Sequence, residues 1–177
     1  MLPDELIKVA DELSQKLRAR ASKITTIESC TGGLVGAAIT SLSGSSGIYP
    51  GGYITYSNEL KHAMVGVSLE TLKDYGAVSS QTAIEMAQGG LKNLGTSYSI
   101  AITGIAGPNG GKDEKRVGTV WICIARSSEE RDCRHFFFPG DRDQIRTQSA
   151  IASLAMATQM LDGRTTTLEH EQERIDG

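Results

Sequence analysis

Two short β-branched segments each run straight into glycine: residues 23–28 (KITTIE) into Ser29-Cys30-Thr31-Gly32-Gly33, and residues 98–103 (YSIAIT) into the glycine-rich stretch 104–111. β-Branched residues suit the pleated surface of a strand, while glycine supplies backbone conformations closed to other residues. Small apolar residues 34–40 follow the first glycine pair, so this part reads as strand, turn and helix; the second loop is too long for a tight hairpin. The chain is thereby constrained to a sheet whose strand C-termini open on glycine loops. Open α/β sheets bind ligands at that edge.

The rest of the pattern fills in the layers. Leu6, Val9, Ala10, Leu13 and Leu17 recur at helical spacing, which predicts an amphipathic helix over 4–21. Residues 43–52 form a loop and 53–56 (YITY) a strand; Ser57 caps a helix to Val65, and Ser68 caps a second one that Gly76 stops. Ser79 or Ser80 caps the next helix, with Ala83, Ile84, Ala87 and Leu91 on its apolar face, until Gly95 ends it. Residues 119–125 and 133–138 read as a hairpin across the polar turn 126–132, and Asp141 caps a last helix to about Leu161. Helices alternate with strands until the closing strand pair. The expectation is an α/β fold, a single-domain sandwich with a mixed sheet and helices packed on it, over residues 1–161, with a polar tail over 162–177.

Composition removes several function classes. A formal net charge of −3 and no basic run beyond Arg18-Ala19-Arg20 argue against nucleic acid as partner. No stretch approaches the ~18 consecutive apolar residues of a membrane span, so no membrane partner is expected. Cys30, Cys123 and Cys133 are odd in number and lack C-x-x-C spacing, and no signal-peptide pattern opens the chain, so a reducing, cytoplasmic setting is expected. His62, His135 and His170 form no metal-binding pattern. His135, inside HFFF, reads as a strand residue with its ring at the sheet face rather than as a triad base.

What remains for chemistry is hydroxyl and lysine. Ser29 sits at a strand end beside helix N-terminal N–H groups; it is either a helix N-cap or a hydroxyl poised where an oxyanion or phosphate could be held. Cys30 is either a thiolate at the same helix end or a small buried apolar residue. Without a histidine, the base for a hydroxyl is a lysine, which works near neutral pH only if its pKa is lowered. Lys61, four residues after Ser57, is the natural choice, against the plain reading of any lysine as a surface charge. Thr103, Ser45 and Ser46 could each hydrogen-bond a reacting group or merely hold a turn. The loop 104–111 offers N–H groups to an anion, with Lys112, Lys115 and Arg116 nearby.

Seven separated motifs, in order, resemble the CinA C-terminal domain family: Glu28-Ser29-Cys30-Thr31-Gly32-Gly33; Gly44-Ser45-Ser46; YITYSNELK over 53–61; Gly76-Ala77-Val78-Ser79; ITGIAGP over 102–108; Gly118-Thr119-Val120-Trp121; and Gly140-Asp141-Arg142. The resemblance runs from Asp4 to about Leu161. It implies a compact α/β sandwich and, for stand-alone members, hydrolysis of nicotinamide mononucleotide to nicotinate mononucleotide and ammonia, with no metal or other cofactor. It maps catalytic roles onto Ser29, Lys61, Ser46 and Thr103, with either Ser29 or Ser46 as nucleophile. Thr31, Gly32 and Gly33 would hold the oxyanion, and Ser45, Tyr56, Asn58, Gly104, Ala106, Gly107 and Arg142 the small pyridine nucleotide. A homo-oligomer is also implied. Two positions depart from the family pattern: Lys112 stands where a small hydroxyl residue is usual, and Arg116 where proline is. They open the alternative of a nucleotide-binding module that turns nothing over.

Overall fold

The computed structural model describes residues 1–164. Five strands form one mixed sheet in the order β2-β1-β3-β4-β5: β1 (Ile24–Glu28), β2 (Gly52–Ile54), β3 (Tyr98–Gly104), β4 (Thr119–Ala125) and β5 (Arg131–Phe137). β1 lies between β2 and β3 and runs parallel to both, whereas β4 and β5 are antiparallel neighbours. Six helices cover the sheet: α1 (Asp4–Ala19), α2 (Leu34–Thr40), α3 (Asn58–Val65), α4 (Leu69–Asp74), α5 (Ser80–Leu94) and α6 (Arg142–Leu161).

Alternation along the strands sorts the core into two layers. Ile24, Ile100, Ile102, Val120, Ile122 and Ile124 pack with Leu6, Leu13, Leu17, Val35, Ile39, Ile145 and Leu154 from α1, α2 and α6. Ile27, Ala101, Cys123 and Ala125 face the other way, onto Ala83, Met86 and Ala87 of α5 and Val65 of α3. Both faces are therefore covered, which is why β1 and β3 are buried nearly throughout, their polar residues Thr25, Thr26, Glu28, Ser99 and Thr103 included. The chain leaves β1 over one face through α2 to β2, then crosses the other face through α3–α5 to β3. β1 and β3 thus bracket a point where connections diverge, and their C-terminal ends open a crevice.

Local chemistry sets the helix starts. Ser57, Ser68 and Ser79 each accept a hydrogen bond from the N–H three residues on, and Asp141 forms a reciprocal capping box with Gln144. Ser79, not Ser80, caps α5. Several boundaries differ from those the sequence suggests; α1 ends at Ala19 rather than at 21, and β1 begins at Ile24 rather than at 23. β2 spans Gly52–Ile54, which leaves Tyr56 beyond the strand; as an exposed edge strand it lacks the buried alternation that defines an end. β5 begins at Arg131, because its polar residues lie on the other sheet edge. Asp162, assigned to the tail, is the C-cap of α6 and accepts from Lys16 Nζ at 2.8 Å; residues 165–177 and His170 lie outside the described residues.

Gly89 is a close-approach site. A Cβ there would collide with the backbone carbonyl of Val65, the last residue of α3. Gly89→Ala should push α3 off α5, lowering the melting temperature by an overpacking cost of about 1–3 kcal/mol. Because α3 carries Lys61, the same variant should lose activity even below its melting transition; thermal denaturation and turnover measured side by side check both.

Candidate active site

A cavity of about 240 Å³ opens at the C-terminal ends of β1 and β3. Its wall contains Ser29 and Cys30 after β1, Tyr56 and Lys61 from the β2–α3 segment, Ala77 and Val78 before α5, Thr103 through Gly107 with Asn109 and Gly110, and Arg142. Lys61 stands on the first turns of α3, held by the Ser57 cap and ended at Gly66, whose φ is 72°.

Lys61 is 1% exposed, the largest of the fully buried side chains. Its Nζ lies 3.0 Å from Ser29 Oγ and donates to the Thr55 carbonyl at 2.7 Å. Burial lowers the amine from its ordinary 10.5 to about 8, with the nearby Cys30 thiol acting weakly in the other direction. A lysine so placed holds a large neutral fraction near pH 8, and its lone pair can take the serine proton. Thr103, 1% exposed, donates its hydroxyl to the Ala77 carbonyl at 2.7 Å and so ties the end of β3 to the opposite wall. At the mouth, the Arg142 guanidinium donates to the Gly107 carbonyl at 2.6 Å and the Tyr56 hydroxyl at 3.0 Å. That leaves a positive group at the rim.

Several of the expected site residues lie away from the cavity wall. Ser29 does not cap α2: the N-cap is Gly33, at φ 94°, with no side-chain bond. Glu28 does that work. Its carboxylate, 1% exposed, accepts from the Thr31 hydroxyl at 2.7 Å and from the N–H groups of Gly33, Val35 and Gly36 at 3.0, 3.2 and 2.8 Å. The Gly32 N–H bonds the Ser29 carbonyl at 3.0 Å. Thr31, Gly32 and Gly33 therefore lie outside the cavity wall, and the α2 N-terminus already holds an anion of the chain's own. Glu28 had no role in the sequence reading. The signal available was a lone acid closing an apolar strand just before a helix.

Ser45 and Ser46 are at the wrong end of the sheet. They lie on a single 3₁₀ turn, Ser45–Gly47, next to Ile48, whose carbonyl accepts from the N–H of Ile24 at the start of β1. Five strand residues, about 16 Å, separate that end from Ser29. Ser45 Oγ is held by the Ile39 and Leu42 carbonyls, and Ser46 faces solvent. Asn58 is exposed and outside the wall. Cys30 is no thiolate: burial pushes it up to about 11. Lys112 pairs with Lys115 in an isolated bridge, and the Arg116 guanidinium stacks 4.6 Å over Phe137; neither lines the cavity. His135 is exposed with its ring 4.9 Å from Trp121, as a strand residue at the sheet face should be. Among the described residues no group of three or more His, Cys, Asp or Glu could hold a metal ion, and no helix is long and apolar enough to cross a membrane.

A family model, that of the CinA C-terminal domain, matches residues 6–161. The chain belongs to this family. Among curated CinA relatives, the nicotinamide-nucleotide amidohydrolase PncC of Escherichia coli K12 is 46% identical over 154 residues, which cover 87% of this chain and 93% of that one. A CinA-like protein of Leptospira biflexa is 42% identical over 141 residues, 80% of this chain but 34% of the longer relative. Among solved CinA-type structures, the competence/damage inducible protein CihA of Agrobacterium tumefaciens superposes with a TM-score of 0.88 at 35% identity, covering 92% of this chain and 98% of that one. A CinA superfamily protein of Klebsiella pneumoniae gives 0.86 at 32% identity, over 89% and 98%.

The buried amine has a stability signature. Its folded pKa of about 8 lies below the ordinary 10.5, so between these values the unfolded chain binds more protons and folding strengthens as pH rises. Comparing wild type with Lys61→Met by chemical denaturation at pH 7 and pH 10, the balance should move toward wild type by about 2 kcal/mol. That is below the full 1.36 kcal/mol per unit because the cavity admits water. A difference independent of pH would mean the amine is not shifted.

Proposed function

We propose that this chain is a nicotinamide-nucleotide amidohydrolase that converts nicotinamide mononucleotide to nicotinate mononucleotide and ammonia, with Ser29 as nucleophile and Lys61 as its base. The observation that carries the reading is the 3.0 Å contact between Lys61 Nζ and Ser29 Oγ in the cavity at the strand ends. The nicotinamide-nucleotide amidohydrolase PncC of E. coli, at 46% identity over most of both chains, supplies the substrate.

In this reading neutral Lys61 accepts the Ser29 proton as Oγ attacks the carboxamide carbon. The Thr55 carbonyl, hydrogen-bonded to Nζ, fixes the amine so that its lone pair meets the serine. The resulting ammonium returns the proton to the leaving nitrogen, and ammonia departs from an acyl-serine. Water then attacks that ester, Lys61 again taking its proton, and the carboxylate leaves as Ser29 recovers its hydrogen. With the Gly32 and Gly33 N–H groups engaged, the oxyanion falls to the Cys30 N–H, the next donor after the nucleophile on the cavity wall. Arg142, with the 107–110 turn, receives the phosphate at the rim, and Tyr56 borders the ribose. Thr103 acts through the Ala77 contact that ties the end of β3 to the opposite wall. The non-catalytic alternative draws little support, since Lys112 and Arg116 do not line the cavity.

The test is ammonia and nicotinate mononucleotide release from nicotinamide mononucleotide by chelator-treated protein. Ser29→Ala and Lys61→Ala should each lose roughly 10²–10⁴-fold or more in kcat, whereas Ser46→Ala should stay near wild type. The base must be neutral, so kcat should rise with pH through a midpoint near 8, set by the lowered amine. Loss of turnover in Ser46→Ala with retention in Ser29→Ala would reverse the assignment.

A further inference from the structure

Outside the cavity, the pairing of β4 and β5 places two thiols face to face. Cys123 and Cys133 are direct partners in the antiparallel register. Such partners alternate between hydrogen-bonded pairs, which exchange N–H···O bonds, and non-hydrogen-bonded pairs, whose Cα atoms are about 4.5 Å apart with side chains closer. The ladder's ends fix which kind this is. The N–H of Arg126 bonds the Glu130 carbonyl at 2.9 Å, and the N–H of Phe138 bonds the Gly118 carbonyl at 2.9 Å. Hydrogen-bonded pairs therefore fall on the even positions of β4, and Cys123–Cys133 is a non-hydrogen-bonded pair. A disulfide spans Cα separations of about 4.4–6.8 Å, so this pair lies within bonding reach with no movement of the strands.

Access and burial are divided between the two. Cys123 is fully buried against α5, while Cys133 is half-buried on the edge strand. Cys133 Sγ makes a long contact, 3.9 Å, to the Ser80 carbonyl at the start of α5 and lies within hydrogen-bonding reach of the Cys123 thiol, so the two sulfurs already face each other. Cys30, the third cysteine, lines the cavity after β1 instead.

We propose that Cys123 and Cys133 form a reversible redox site, closing to an intramolecular cross-strand disulfide by exchange with a low-molecular-weight disulfide. The Cys133 thiolate attacks one sulfur of the reagent, forming a mixed disulfide and expelling one thiolate. The Cys123 thiolate then attacks the Cys133 sulfur and expels the second. Two protein thiols are oxidised, one reagent disulfide is reduced to two thiols, and the two protons end on the released thiols. The order follows from exposure: the edge cysteine meets the reagent and the buried one resolves it.

The test is incubation of the full chain with oxidised glutathione, followed by thiol counting after denaturation, intact mass and peptide mapping. Of the three cysteines, two should be lost, with a mass decrease of two hydrogens, a Cys123–Cys133 cross-linked peptide, and full reversal by excess dithiothreitol. Cys30→Ser should go from two free thiols to none. Cys133→Ser should give no intramolecular bond. Retention of all three thiols, arrest at a glutathione adduct on Cys133, or a bond involving Cys30 would each overturn the proposal.

Discussion

The structure turns on one uncomfortable placement, an amine buried beside a hydroxyl. Removing an ammonium from water is costly, and α3 is held so that Lys61 Nζ has the Thr55 carbonyl and Ser29 Oγ for partners. The cost is carried by packing elsewhere: the Ser57 cap, the close approach of Gly89 to Val65, and the apolar layer joining α3, α5 and the sheet. What the burial provides is an amine with a large neutral fraction near pH 8, the base of the proposed mechanism, in a chain whose two described histidines sit exposed and away from the cavity.

Glu28 is the second constraint. A strand leading into a helix N-terminus usually leaves N–H groups for an anionic ligand. Here the chain fills that position with its own carboxylate, which rigidifies the turn bearing Ser29. The positive charge left open to the cavity lies instead on Arg142 at the head of α6, on the far side of the Gly107 loop. A substrate with a neutral amide at one end and an anion at the other fits that division.

The sheet and its helices were legible because strong local signals agreed: β-branched runs for β1, β3 and β4, and Ser57, Ser68 and Asp141 as caps. Ser29 and Thr103 were legible as candidates because each sits at a strand end that glycine opens, and Lys61 because no histidine offered a base and it follows the Ser57 cap by four residues. The edge strands were not, since β2 and β5 have exposed residues on positions that would otherwise mark the period. Ser45 and Ser46 illustrate a deeper limit. They follow Ser29 closely in sequence, but a helix running back along the sheet returns the chain to the opposite edge, and motif order carries no sign of that reversal. Glu28 was hidden for the reason that makes it effective: its four partners are mostly backbone N–H groups, which leave no side-chain pattern.

Acylation of Ser29 during turnover is the step on which the proposed mechanism rests. Acid quenching of the protein while it hydrolyses nicotinamide mononucleotide, followed by intact mass and peptide mapping, tests it directly. An ester-linked nicotinoyl-nucleotide adduct is expected on the peptide containing Ser29, absent from Ser29→Ala. Sustained ammonia release with no adduct at any quench time, or an adduct on the peptide containing Ser46, would contradict it.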